Sequence, residues 1–152
     1  MKSFKITLVF IMVSFFLSCD TDMDDIDLST AEAKELNLIV KEGEWRISLF
    51  SLNASEKTAN YEDYIFVFEE SNDLSATSSN DQTNGTWRVS NDSGSEFESY
   101  NDVDFNVFFS SDGKFGELTS NYDVISANKK EINLIFQDSE NGNTARLSFS
   151  KN

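Results

Sequence analysis

Gly43-Glu44-Trp45-Arg46-Ile47-Ser48-Leu49 is the stretch that decides the fold. Trp45, Ile47 and Leu49 alternate with Arg46 and Ser48, the period-two pattern of a strand with one buried and one wet face. The alternation returns in Phe105-Val107-Phe109 against Asp104 and Asn106, and in Leu147-Phe149 against Arg146, Ser148 and Ser150. Apolar runs at Tyr64 to Glu69, about Leu74 to Ser78, Thr86 to Ser90, Tyr122 to Ser126 and Glu131 to Gln137 predict further strands, about eight in all.

Turn chemistry separates these runs. Asn72-Asp73, Asn84-Gly85, Ser93-Gly94, Asp112-Gly113 and Asn141-Gly142 fall between them, where a chain reversal needs positive φ or a side-chain-closed turn. The stretches from Asn53 to Asn60 and from Asn91 to Tyr100 read as long polar loops. An open sheet of eight strands would leave two edges as templates for aggregation, and closing it removes them. The expectation is a mainly β protein: an antiparallel up-and-down barrel of about eight strands with a short N-terminal helix across one end. No linker divides residues 29–152, which form one domain.

That helix begins at Leu28-Ser29-Thr30-Ala31-Glu32, where Ser29 suits an N-cap, Glu32 completes a capping box, and Leu28 is placed to staple onto the first turns. It should run to about Lys41. Ala33, Leu36, Ile39 and Val40 recur at helical spacing, so one face docks on something apolar.

The N-terminus carries a different signal. Lys2 and Lys5 precede an apolar run from Ile6 to Leu17, a dozen residues where a membrane span needs about 20. Residues 1–18 read as a signal peptide. Leu17-Ser18-Cys19 resembles the bacterial lipobox, with a small residue before a Cys that is acylated and becomes the new N-terminus; Phe16 stands where that motif usually has Leu. Phe16 argues more strongly against ordinary signal-peptidase cleavage, which wants a small residue there. Residues 19–28, with Asp20, Asp22, Asp24, Asp25 and Asp27, form an acidic tether after Cys19. Asp20-x-Asp22-x-Asp24 fails as a calcium loop, because Asp25 stands where Gly is needed and Ala31 where a bidentate Glu is needed.

Composition narrows the chemistry. The chain carries 12 Lys+Arg against 27 Asp+Glu, a net charge of −15 that becomes −17 once Lys2 and Lys5 leave with the leader. Such a charge repels phosphate backbones, so no nucleic-acid partner is expected. With no His and one Cys, Ser-His-Asp and Cys-His catalysis, Cys/His zinc sites and intrachain disulfides are all excluded. No cofactor or metal is expected, and no enzyme: Asp63, Glu69 and Asp104 lie at strand ends, where solvated charge is the ordinary reading. Ten of the 14 Phe follow Cys19, ample for a packed core.

A short N-terminal helix, then Gly43-Glu44-Trp45 at the first strand, then antiparallel strands, resembles the Gly-x-Trp signature of lipocalins. With the lipobox, a second Gly85-Thr86-Trp87, the strand Asp104 to Phe109 and the ending Leu147-Ser148-Phe149-Ser150-Lys151-Asn152, the chain is similar to the lipocalin-like lipoproteins of Bacteroidetes. The likeness spans about residues 30–152. It lacks the Thr-Asp-Tyr of classical lipocalins, and Arg146 is the nearest match for the terminal Arg that packs over the strand-one Trp.

The resemblance implies a lipid-anchored monomer of the bacterial outer membrane, whose acidic residues after Cys19 resemble surface-export signals. It also implies a calyx able to hold a small apolar ligand. Phe66, Phe68, Trp87, Phe105 and Phe136 are the candidates to line that interior, or to fill it as core. A domain that instead meets a surface partner through its loops is the alternative. The two Gly-x-Trp segments could record a duplicated half-barrel, or two strands meeting one packing demand at a turn exit.

Overall fold

Helix α1 (Leu28–Lys41) leads into strand β1 (Trp45–Leu52) through a single tight turn. The computed structural model describes residues 28–91 and 103–152, so the leader, Cys19, the acidic tether and the Ser93-Gly94 turn lie outside the described residues. After β1 come a two-residue strand β2 (Ser55–Glu56), β3 (Ile65–Phe68), β4 (Asp73–Thr77), β5 (Gln82–Asn91) and β6 (Val103–Phe108). The chain ends with β7 (Ser120–Ala127), β8 (Glu131–Gln137) and β9 (Thr144–Lys151).

All pairings are antiparallel, and from β3 to β9 each strand bonds to the next in sequence. Strand β1 then pairs with β9 from Trp45↔Lys151 to Leu52↔Ala145, which closes the sheet. The result is an eight-stranded antiparallel barrel, with β2 appended to the far end of β1. Closure is asymmetric. On its other side β1 meets β3 only at Trp45↔Phe66. Lower down, Phe50 turns its backbone to Lys57 N–H and the Thr58 hydroxyl instead.

The expected long loop from Asn53 to Asn60 is therefore a built structure. Asn53 and Ala54 take positive φ (49° and 63°), β2 follows, and a 3-10 turn at Thr58–Asn60 completes the wall between β1 and β3. Its polar residues conceal this because they bond to backbone. Asn53 Oδ1 accepts from Thr144 N–H at 2.9 Å, tying the segment to β9.

Two of the expected turns form where positive φ was needed, at Asn72 (67°) and Gly142 (69°). Asp138 closes the second by accepting from Asn141 and Glu140, which holds its carboxyl below the usual carboxylate range. Asn84-Gly85 is not a turn. Gly85 lies inside β5 opposite Leu74, and the reversal occurs at Ser78 to Asp81, where the Ser78 hydroxyl accepts from Asp81 N–H. A Cβ at Gly85 would lie 2.4 Å from Phe108 O and 2.7 Å from the Phe109 ring, so the glycine is there for close approach.

The join between helix and barrel explains the Gly-x-Trp motif. Gly43 takes φ +83°, the turn needed to leave a helix. Trp45 is wholly buried and its Nε1–H donates at 2.9 Å to Val40 O, one of the last helical carbonyls left without an intrahelical partner. The cation over its ring is Lys151, with Nζ 4.8 Å from the centroid. Arg146, the expected match, lies five residues before Lys151 in β9, opposite Ser51 and exposed on the outer face. Lys151 prevails because it sits directly opposite Trp45 in register. Replacing Trp45 by Phe keeps the ring but leaves the Val40 carbonyl unpaired. The expected loss is about 1–3 kcal/mol, read by urea unfolding.

Candidate functional site

The barrel interior is the site the sequence nominates, and its occupants are side chains. Phe66, Phe68, Trp87 and Phe105 point inward and are at most 2% exposed. Phe68 is the hub: its ring makes edge-on contacts with Trp87, Phe105 and Phe149 at centroid distances of 5.6, 5.6 and 5.3 Å. Phe66 joins through Phe149 at 5.5 Å. Edge-to-face packing matches a ring's positive edge to a neighbour's negative face, a gain beyond area burial. Phe136 stands apart. It is half-buried at the lower end of β8, packed against the core margin.

Trp87 shows why these rings stay in place. Its indole donates to Glu69 O at 3.0 Å, its backbone N–H bonds Asn72 O, and Asn72 Nδ2 returns to Trp87 O. Every polar atom of the ring system is thus satisfied inside the wall. Trp45 begins its strand, whereas Trp87 is well inside β5, so the two Gly-x-Trp segments do not share a turn exit.

The lower end is closed by residues that the sequence reading missed. In the β6–β7 connection Phe115 reaches inward against Tyr61, Tyr64, Phe66 and Phe109. Leu118, from the adjoining 3-10 turn at Gly116–Leu118, is wholly buried. Outside this plug, Lys114 Nζ lies 4.3 Å from the Tyr64 ring centroid and donates to Asn60 O. Lys57 pairs with Glu117 at 2.6 Å, at the surface. Two large apolar residues in a polar connection were the available signal: a mere turn has no reason to carry them.

The upper end is covered by α1. Leu36, Ile39 and Val40 face the barrel, with Ala33 half-buried beside them, and Leu38 points to solvent. A pocket of about 360 Å³ opens between the helix and the β6–β7 rim, lined by Glu32, Glu35, Leu36, Ile39, Val103 and Val124 with the β7–β8 turn. A second, more open recess lies on the helix's other side, against Val89 and Ser90. Both flank the helix and neither lies among the interior rings.

Of the carboxylates considered in sequence, Asp63 is exposed, Glu69 offers its backbone carbonyl to Trp87, and Asp104 stands opposite Asp123 on the outer wall. Among the described residues no three His, Cys, Asp or Glu come together as a metal site, and no helix is long and apolar enough to cross a membrane. Comparison of the chain with protein-family models and with curated proteins finds no match.

Two measurements check this interior. Phe68→Ala removes the hub ring and should cost about 3–5 kcal/mol in urea unfolding, whereas Phe108→Ala, on the exposed face, should change stability by about 0.5 kcal/mol or less. Burial pushes the Tyr61 and Tyr122 phenols well above their ordinary range, and each hydroxyl is tied to a carbonyl, Lys114 O and Leu118 O respectively. Between the unfolded and folded values the unfolded chain holds fewer protons, so stability is full below about pH 10 and falls above it. Tyr122→Phe should flatten that alkaline fall in a pH series of unfolding curves.

Proposed function

We propose that the chain is a lipid-anchored envelope protein of a bacterium, held at the outer membrane through acylated Cys19. In this reading its lipocalin-like barrel is a filled scaffold that acts through its surface. The observation that carries this reading is the interior: Phe68, Trp87 and Phe105 in mutual contact, with Phe66 joined through Phe149, occupy the space a carrier would reserve for cargo. An eight-stranded barrel is just wide enough to be filled by side chains or to hold one small ligand, and large residues inside favour the first.

The anchor rests on the basic start, the short apolar run and Leu17-Ser18-Cys19. Two or three acyl chains hold a protein stably where one does not, at roughly 0.8 kcal/mol per buried methylene. Eight residues separate Cys19 from Leu28, a reach of at most about 28 Å when extended. Leu28, the first described residue, opens α1 at the upper end of the barrel. The β1–β3, β4–β5, β6–β7 and β8–β9 connections gather at the opposite end, facing away from the tether's attachment. With a net charge of −17 this is a surface for a protein or glycan partner and not for nucleic acid.

Native mass spectrometry of the processed chain, compared before and after denaturation, tests the filled barrel. A bare protein mass in both is expected. A bound mass of a few hundred daltons that survives buffer exchange and leaves on denaturation would replace this reading with carriage of a small apolar ligand. In the same host, Cys19→Ser should shift the protein from the membrane pellet to the supernatant; retention in the pellet would sink the lipid anchor.

A further inference from the structure

The pocket beneath α1 has walls of opposite charge that do not meet. Glu32 and Glu35, three residues apart, share one face of the helix and line its first wall. Lys129, from the β7–β8 turn, lines the same pocket from the barrel side. Among the described residues the side chains of Glu32, Glu35 and Lys129 make no hydrogen bond or ion pair; the ion pair formed elsewhere is Lys57 with Glu117. The apolar part of the lining is Leu36 and Ile39 of the helix with Val103, Val124 and Ala127 of the barrel rim, and Asn128 adds a polar side chain beside Lys129.

The charges restrict what fits. A simple anion meets two carboxylates, and a simple cation meets the ammonium of Lys129. Glu32, Glu35 and Lys129 are exposed and stay solvated, so a neutral apolar molecule would use the apolar lining alone and gain nothing from the charges. One class satisfies the apolar lining and both kinds of charge together: a small molecule with an apolar body, an ammonium group at one end and a carboxylate at the other. The volume, about 360 Å³, is at the small end of ligand pockets and suits a dipeptide with aliphatic side chains.

We propose that this pocket binds a small apolar zwitterion of dipeptide size. Its ammonium faces Glu32 and Glu35, its carboxylate faces Lys129, and its aliphatic groups lie on Leu36, Ile39, Val103 and Val124. The site is outside the barrel interior, so a filled barrel neither requires nor forbids it, and it does not depend on the lipid anchor.

The test is an NMR titration of the ¹⁵N-labelled processed chain, residues 19–152, with Leu-Leu. Saturable shifts are expected in residues 32–39 and 124–129. N-acetyl-Leu-Leu and Leu-Leu-amide, each lacking one charge, should bind about two- to five-fold more weakly, as should Leu-Leu with Glu35→Gln or Lys129→Met. Both substitutions are at exposed side chains, so the fold stays available for the comparison. Equal binding of doubly blocked N-acetyl-Leu-Leu-amide, the absence of saturable shifts, or shifts centred on Phe68, Trp87 and Phe105 would each overturn the proposal; the last would also count against the filled barrel.

Discussion

Four parts of the molecule meet at Trp45. Its backbone lies between Phe66 of β3 and Lys151 of β9, its indole holds the last turn of α1 through Val40, and the Lys151 ammonium covers its ring. A sheet becomes a barrel only if its first and last strands find each other in register, and a one-residue slip would turn every inward ring outward. Trp45 is where that register is held. Because the same side chain also caps the helix, barrel closure and the covering of its upper end share this one residue. Asn152 N–H donating to Glu44 O carries the join to the last residue of the chain.

Given closure, the interior volume follows from strand number, and what matters is how it is occupied. The chain places aromatic rings at successive inward positions, edge to face from Trp87 through Phe68 to Phe149 and Phe66, then through a tilted contact to Phe115 and edge-on to Tyr61 at the lower end. The plug and the helix seal opposite ends of one continuous core. A barrel packed this way offers rigidity. What lies outside it are the recesses beside α1 and the four connections at the other end.

Much of this architecture is visible in local pattern. Helical spacing marks α1, alternation marks β1, β6 and β9, and apolar runs between turns mark the other five principal strands, although β5 begins earlier, at Gln82. In β1 the alternation fails at Leu49, which is exposed, because the strand shifts register between Ile47 and Leu49 and buries Phe50 instead. The readings that needed correction share a cause. Gly85 looks like a turn because glycine is common there, yet its reason is a neighbour distant in sequence, the Phe109 ring. Asn53 to Asn60 looks like a loop because its polar side chains bond backbone instead of forming a pattern. Arg146 was the chemically closer match for a cation over Trp45, but register places Lys151 there.

The candidate site divides in the same way. By itself the sequence determined the fold class, the inward-facing rings Phe66, Phe68, Trp87 and Phe105, the dominance of negative charge and the absence of histidine and disulfide chemistry, since composition and periodicity are local properties. Only the tertiary structure decided that Phe68, Trp87 and Phe105 touch each other, that Phe66 reaches them through Phe149, and that Phe136 stands apart. It alone showed that Phe115 seals the lower end, and that Glu32, Glu35 and Lys129 line one pocket together with Leu36, Ile39, Val103 and Val124. Which side chains share a space depends on closure and register between strands far apart in the chain, and no local pattern encodes that distance.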